Sequence, residues 1–156
     1  MKTITGITLG LLTMTISLTP VATPGAQAAD STSPAPVRLD PDKIAGLNLT
    51  AIPPDAYSNI LVAGELNMNV ATLFEGKELR VSIFESTPAK TDHRTRPTDV
   101  DEFVYVLSGK LILTEPNGTV HEFVPGQSLV LPVGYTGTWE MQGNYRELVV
   151  LMQKGE

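Results

Sequence analysis

The chain has 156 residues, of which 42% are hydrophobic and 18% charged, with a formal net charge of −6 and no cysteine. This length suits one globular domain and leaves no room for a second sizeable core. The acidic balance without a basic patch argues against nucleic acids and anionic membrane surfaces as partners. Because the chain has no cysteine, disulfide bonds cannot stabilise it and its stability must come from a hydrophobic core.

The N-terminal residues have the pattern of a secretory signal peptide. Lys2 is the only charged residue before Asp30, residues 4–18 are mostly apolar, and small residues stand at Ala26 and Ala28. A charged start, an apolar stretch and an A-x-A site are typical of a cleaved signal. We therefore expect residues 1–28 to be removed and the protein to be periplasmic or secreted from a bacterium, with no membrane association after cleavage. The alternative is an uncleaved anchor, although the apolar stretch is shorter than the about 20 residues that a membrane-spanning helix needs.

The rest of the chain predicts a tether followed by one all-β domain. Residues 29–50 are rich in Ser, Thr, Pro and Asp, a composition that predicts a disordered tether. Residues 51–156 contain short apolar runs separated by Gly, Pro and Asn, without a convincing helical period, which predicts a β-sandwich or barrel. The sequence PNG at 116–118 predicts a hairpin turn. The predicted strands lie within residues 59–66, 78–86, 102–109, 110–126, 128–134, 137–141 and 146–152, with the hairpin inside residues 110–126.

Two glycine-containing patterns flank the predicted hairpin. Glu102 is followed by six residues and Gly109, and Gly126 is followed by five residues, Pro132, one residue and Gly134. Gly109 and Gly126 allow the positive φ of a tight turn between strands, and Pro132 ends a strand because it has no N–H to donate. The two patterns, in this order, resemble the two motifs of the cupin superfamily. This resemblance implies a single cupin jelly-roll β-barrel after the signal peptide.

The resemblance extends from about Leu79 to Leu151, and two short sequences within it are similar to those of one group of cupins. The sequences GTWE at 137–140 and E-x-T-P at 85–88 are similar to those of single-domain cupins of the (S)-ureidoglycine aminohydrolase type. Metal-binding cupins place three histidines and one glutamate in the barrel. Here the two histidine positions of the first motif fall among residues 95–98 and that of the second motif is Gly137, so only Glu102 of the four ligands remains. One carboxylate does not hold a transition metal tightly.

Glu102 and Glu85 are the candidate catalytic and ligand-binding acids. Strand alternation places Glu102 on one face with Val104 and Val106, and burial there raises a carboxyl pKa into a range that favours proton transfer. An inward-pointing Glu85 would let the two acids share a proton or bind a cationic or amide ligand. The alternative is that Glu102 lies half solvated at the strand end or pairs with an arginine. Arg146 is expected to form a surface pair with Glu140, with binding of an anionic ligand as the alternative.

Four further side chains complete the candidate site. Tyr135 and Trp139 are expected to form an aromatic wall for a ligand, with core packing as the alternative for Trp139. His121 shares the parity of Phe123 and is expected to face inward, either at the ligand or as a packed histidine. His93 is expected to be a solvated loop residue. If a displaced metal site exists, its candidates are Glu102, His121 and His93, together with Glu85.

Three functions follow from these expectations. The first is an exported, metal-free cupin that binds a small polar molecule in its barrel without a cofactor. The second is an enzyme with a divalent metal at displaced ligands, acting on a ureide or amide or as an isomerase. The third is a structural dimeric scaffold with a filled interior. A homodimer is expected in each case, because the run ELVVLM at 147–152 has apolar residues on both faces of the last strand and cupins commonly form dimers.

Overall fold

A computed structural model describes residues 34–152, of which residues 36–152 belong to one compact unit. The predicted signal peptide lies outside the described residues. The described part contains one short helix, α1 (Pro41–Ile44), one 3-10 turn (Pro54–Ala56) and nine strands. The strands are β1 (Thr50–Ala51), β2 (Leu61–Gly64), β3 (Met68–Glu75), β4 (Leu79–Ser86), β5 (Ala89–Asp92), β6 (Glu102–Thr114), β7 (Val120–Phe123), β8 (Ser128–Leu131) and β9 (Thr138–Met152). The all-β prediction is confirmed.

The nine described strands form one curled antiparallel sheet around the long strand β9. One edge of β9 pairs with β6 from Glu102↔Leu151 to Thr114↔Thr138. Its other edge pairs with β5 near the start of the strand and with β4 near the end. Strands β3 and β1 continue the sheet beyond β4, β2 pairs with β5, and β7 and β8 both pair with β6. The inner face of the curled sheet encloses the interior of the domain.

Two strands are longer than predicted. Residues 102–109 and 110–114 form the single strand β6, and residues 137–141 and 146–152 are joined in β9. The sequence predicted a turn between strands at Gly109, but Gly109 lies in a bulge within β6. Its φ is 71°, and a Cβ there would lie 2.6 Å from the Gln142 carbonyl oxygen. Glycine is needed because the two bent strands approach each other closely at this point.

The other turn predictions agree with the structure. Gly126 has a φ of 88° and lies in the turn between β7 and β8. The hairpin between β6 and β7 is closed at residues 116–118, where the Gly118 N–H donates to the Glu115 carbonyl over 2.9 Å. Pro132 follows the last residue of β8. Strands β1, β3 and β5 were not predicted; β1 and β5 have only two and four residues.

The predicted tether ends earlier than residue 50. The carboxylate of Asp40 accepts a hydrogen bond from the Asp42 N–H over 3.0 Å and caps helix α1. Lys43 Nζ donates to the Thr72 carbonyl on β3 over 3.4 Å. Gly46 lies so close to the Arg146 guanidinium that a Cβ would overlap it. These contacts hold the segment on the sheet, a tertiary effect that composition does not reveal.

The core occupies the inner face of β6 and β9. Val104, Val106, Leu111 and Val149 are at most 1% exposed. Each fully buried aliphatic side chain contributes roughly 1.5–3 kcal/mol of burial free energy. In the part of the chain that is described, no helix is long and apolar enough to cross a membrane.

Candidate ligand-binding site

A cavity of about 360 Å³ lies beside the core on the inner face of the sheet. Its walls come from β4, β6 and β9, and from two segments outside the main strands, residues 52–60 and 93–99. This volume falls within the roughly 300–1,000 Å³ typical of small-molecule sites. The apolar part of the wall includes Ile60, Leu66, Met68 and Phe84. The cavity can therefore hold a small organic molecule.

Besides the exposed Asp99, two carboxyl groups line the cavity without a cationic partner among the described residues. Glu102 lies at the start of β6 and Glu147 lies on β9, and strand alternation places them on the inner face with Val104 and Val149. None of the five ion pairs within residues 34–152 includes either glutamate. Both groups must therefore be accommodated in the cavity without charge compensation from a neighbouring side chain.

The environment raises the pKa of both carboxyl groups. Burial, reinforced by the charge of Asp99, raises the pKa of Glu102 to about 7. Burial also raises the pKa of Glu147 to about 7, and the charge of Glu102 contributes in the same direction. A buried carboxylate loses its hydration, so the neutral form is favoured up to neutral pH. Both groups can consequently exchange a proton near pH 7.

Tyr145 orients the Glu147 carboxyl group. The Tyr145 hydroxyl donates a hydrogen bond to Glu147 Oε2, and both side chains project from the same face of β9. This hydrogen bond opposes the effect of burial on the pKa of Glu147. Burial and the adjacent Glu147 raise the pKa of Tyr145, so the phenol stays protonated and continues to donate.

An aromatic and imidazole pair forms another part of the wall. The rings of Trp139 and His93 have centroids 4.9 Å apart. The Thr91 hydroxyl lies 3.0 Å from His93 Nε2 and fixes the imidazole. Burial, with the nearby Arg96 charge, lowers the pKa of His93 and keeps its ring neutral at pH 7. The prediction of a solvated loop histidine at position 93 is wrong, because the preceding strand β5 brings the ring against Trp139.

Two polar atoms in the cavity wall have no hydrogen-bond partner among residues 34–152. They are the Ser86 hydroxyl oxygen and the Trp139 indole nitrogen. Ser86 is 6% exposed and shares the inner face of β4 with Phe84. A buried polar atom without a partner costs roughly 1–3 kcal/mol. A bound molecule that supplied hydrogen bonds to these atoms would offset that cost.

Glu85 does not converge with Glu102 as predicted. Although its residue borders the cavity, strand alternation places the Glu85 side chain on the face opposite Phe84 and Ser86. Its carboxylate accepts a hydrogen bond from Arg146 Nε over 2.9 Å. Arg146 therefore pairs with Glu85 rather than with Glu140, because β4 and β9 place positions 85 and 146 directly opposite each other.

Neither His121 nor Tyr135 lines the cavity, although both were candidates for ligand binding. His121 is exposed on β7, and its Nε2 lies 2.7 Å from Glu115 Oε1 across the hairpin. Strand pairing places His121 opposite the buried Leu113, on the same face as Phe123, which packs against the core. His121 is nevertheless exposed, because it lies nearer the hairpin turn than Phe123. Tyr135 packs against the core, but it does not line the cavity. Trp139 is the one predicted aromatic residue that does.

The residues proposed for a displaced metal site do not come together. Glu85 is bound to Arg146 and His121 to Glu115, while His93 and Glu102 line the cavity. Between residues 34 and 152, no three His, Asp or Glu side chains are grouped in a way that could hold a metal ion. The described donor set therefore does not fit the metal that the cupin resemblance implies.

Sequence reasoning missed Glu147, Tyr145 and Ser86. The alternating pattern of Tyr145, Glu147 and Val149 is visible in the sequence and could have placed Glu147 beside a buried valine. Glu147 was instead read as the start of an apolar run. Ser86 carries no local signal, because its inward position depends on the pairing of β4 with β9.

Comparison with known proteins shows what this architecture is similar to. Residues 74–147, just under half of the chain, match the model of the EutQ-like cupin domain. This match agrees with the cupin resemblance of the sequence motifs. No curated protein matches the sequence significantly.

Two solved structures share this fold. A protein of unknown function from Pseudomonas syringae, of the DUF861 family, is 24% identical with a TM-score of 0.58. The match covers 66% of this chain and 43% of that one, less than half of its length. The EutQ protein of Clostridium difficile is 16% identical with a TM-score of 0.54, over 70% of this chain and 83% of that one. At these identities the likeness supports the fold alone.

Proposed function

We propose that this protein binds a small polar molecule in the cavity beside Glu102. The observation that carries the proposal is the combination of a cavity of about 360 Å³ with unpaired polar groups in its wall. A cavity with an apolar lining and a few converging polar groups is the usual form of a small-molecule site. The scaffold function requires a filled interior, which this cavity disfavours.

Thermal shift against a library of small metabolites tests this proposal. A ligand that binds the folded state at 100 times its Kd stabilises the protein by roughly 2.7 kcal/mol. The variant Ala56→Trp places a large side chain in the cavity wall at an exposed position and should abolish the shift. Ser58→Trp is the matched control, since Ser58 is exposed on the same segment but does not line the cavity. The proposal fails if no metabolite stabilises the protein, or if Ala56→Trp responds like the control.

A second candidate function is acid–base catalysis on the bound molecule. Glu102 and Glu147 both have a pKa of about 7, which suits proton transfer at neutral pH. The GTWE and E-x-T-P sequences favour the (S)-ureidoglycine aminohydrolase type, and hence a ureide or amide substrate. Ammonia release from ureides and amides would test this activity. It should be lost in both Glu102→Gln and Glu147→Gln, and release that persists in both variants would exclude these acids as catalysts.

We also propose that the protein is an exported homodimer. Export is supported by the N-terminal sequence pattern, and fractionation of the producing cells would test it. The dimer is supported by a row of apolar side chains on the outer face, where Phe103 pairs with Val130 on one side and with Val150 on the other. Val130 is 62% exposed and Phe103 38%. Light scattering after gel filtration should give twice the protomer mass for the wild type. For Val130→Asp it should give the mass of one protomer.

A further inference from the structure

The cavity contains more acidic than basic groups, and this imbalance bears on the class of ligand. Its acidic residues are Glu85, Asp99, Glu102 and Glu147, and Arg96 is the one Lys or Arg in its described lining. Arg96 is exposed and donates to the Ala56 carbonyl over 3.4 Å, so its charge lies at the edge of the cavity. Since Arg146 neutralises Glu85, the excess negative charge belongs to the other three acids.

Ser86 provides an observation that is independent of the acids. Its hydroxyl oxygen is buried in the wall, and no described group hydrogen-bonds it. A hydroxyl oxygen can accept hydrogen bonds from an N–H group. A ligand with several N–H donors could therefore donate one hydrogen bond to the Ser86 hydroxyl oxygen and another to a carboxylate in the cavity.

The rest of the cavity wall is largely apolar and aromatic, which favours a ligand whose N–H groups are attached to an organic group. Ile60, Leu66, Met68 and Phe84 give the cavity an apolar side. Trp139 adds an indole ring, whose π face attracts cations. A neutral ligand would leave the carboxyl groups either protonated or without charge compensation, whereas a cation would compensate their charge.

We propose that the ligand is a small organic amine, bound as its ammonium ion by the cavity carboxylates of Glu102 and Glu147. The inference rests on the proposed binding function and specifies its ligand class. The ammonium group donates to the carboxylates and to Ser86, and the organic part packs on the apolar wall. The Trp139 indole N–H remains a donor, so an oxygen acceptor on the amine would strengthen binding further.

Isothermal titration with benzylamine and benzyl alcohol tests this inference. The two probes have nearly the same shape, and only the amine is charged at pH 8. We expect benzylamine to bind at least tenfold more tightly than benzyl alcohol to the full chain. Glu102→Gln and Glu147→Gln should each weaken benzylamine binding by tenfold or more and leave binding of the alcohol unchanged. Glu122→Gln is the matched control, because Glu122 pairs with Lys110 outside the cavity.

The wild-type protein provides a test that does not depend on the folding of variants. Between pH 8 and pH 5.5, protonation of Glu102 and Glu147 removes the negative charges while benzylamine stays protonated. The affinity for benzylamine should therefore fall at least tenfold over this range, and that for benzyl alcohol should not change.

The outcomes separate the ligand class from the binding function. Equal affinities for the two probes, or benzylamine binding that is independent of pH, would overturn the amine inference. If the metabolite library yields only neutral ligands that compete for the cavity, the inference fails and the binding function stands. If neither the probes nor the library bind, both fail.

Discussion

The two faces of strand β9 differ in whether a buried or partly buried charged side chain has a partner of opposite charge. On the outer face, Arg146 lies opposite Glu85 of β4, and the two side chains form an ion pair. On the inner face, the adjacent residue Glu147 is 7% exposed and has no cationic partner among the described residues. Its only described hydrogen-bond donor is the neutral Tyr145 hydroxyl.

This difference indicates that the Arg146–Glu85 ion pair is structural, whereas Glu147 belongs to a candidate functional site. A partly buried ion pair is satisfied within the protein and needs no ligand. A buried carboxyl group without a cation is costly when ionised, and natural proteins keep such groups mainly where function requires them. The inner carboxyls border a cavity that can admit a compensating molecule, and the outer pair is covered by Gly46.

The largest expected effect is on the outer face. Arg146→Met should lower the free energy of unfolding by about 2–4 kcal/mol, because it leaves the Glu85 carboxylate partly buried without a partner. Denaturant unfolding at pH 7 measures this change. Lys110→Met is the control, since it breaks the more exposed pair with Glu122 and should cost about 0–1 kcal/mol. If the two variants lose equal stability, the outer pair is no more structural than a surface pair.

On the inner face, the stability contributed by Glu147 should decrease as the pH rises. Folding raises the pKa of Glu147 from 4.5 to about 7, so its contribution to stability is fully present below about pH 4.5 and is lost as the pH rises through 7. Glu147→Gln cannot ionise, and it should be more stable than the wild type by roughly 1–3 kcal/mol at pH 8. At pH 4.5 the two should be nearly equal.

Urea unfolding of wild type and Glu147→Gln between pH 4.5 and pH 8 checks the prediction. Glu140→Gln is a suitable control, because Glu140 lies on the same strand and pairs with Lys90. A variant that is less stable than the wild type at pH 8 would show that Glu147 is ionised and compensated in the folded protein.

The smallest expected effect concerns the Tyr145 hydroxyl. Tyr145→Phe removes one hydrogen bond to Glu147 and should cost about 0.5–1.5 kcal/mol in denaturant unfolding. Because this hydrogen bond lowers the pKa of Glu147, its loss should move the pH-dependent decrease in stability to higher pH. A variant with an unchanged pH midpoint would contradict the assigned hydrogen bond. Tyr105→Phe on the outer face is the control.

Most of the fold was predictable, because strand length, alternation and turn residues are local properties of the sequence. The inner face of β6 was correctly assigned from the alternation of Glu102, Val104 and Val106. Gly109 was not, because a bulge and a turn both use glycine with a positive φ. Which of the two occurs depends on whether the partner strand continues alongside, as β9 does here.

The candidate site was less predictable than the fold. Glu102 and Trp139 were selected from their motif positions, and the structure places both in the cavity wall. Glu85 was selected for the same reason, but its orientation depends on the register of β4 against β9, which pairs it with Arg146. The parity of His121 and Phe123 identified the face that contacts the core, but parity does not show how far along a strand that face is covered.

The sequence by itself determined an all-β domain with Glu102 at the head of an inner strand, since both follow from periodicity and spacing along the chain. Only the tertiary structure decided which acid shares the cavity with Glu102. Strand β9 brings Glu147 to the inner face and gives Glu85 a guanidinium on the outer one. Alternation along β9 places Glu147 on the face of Val149, but the opposition of Glu85 and Arg146 is set by long-range strand pairing, which joins residues far apart in the chain.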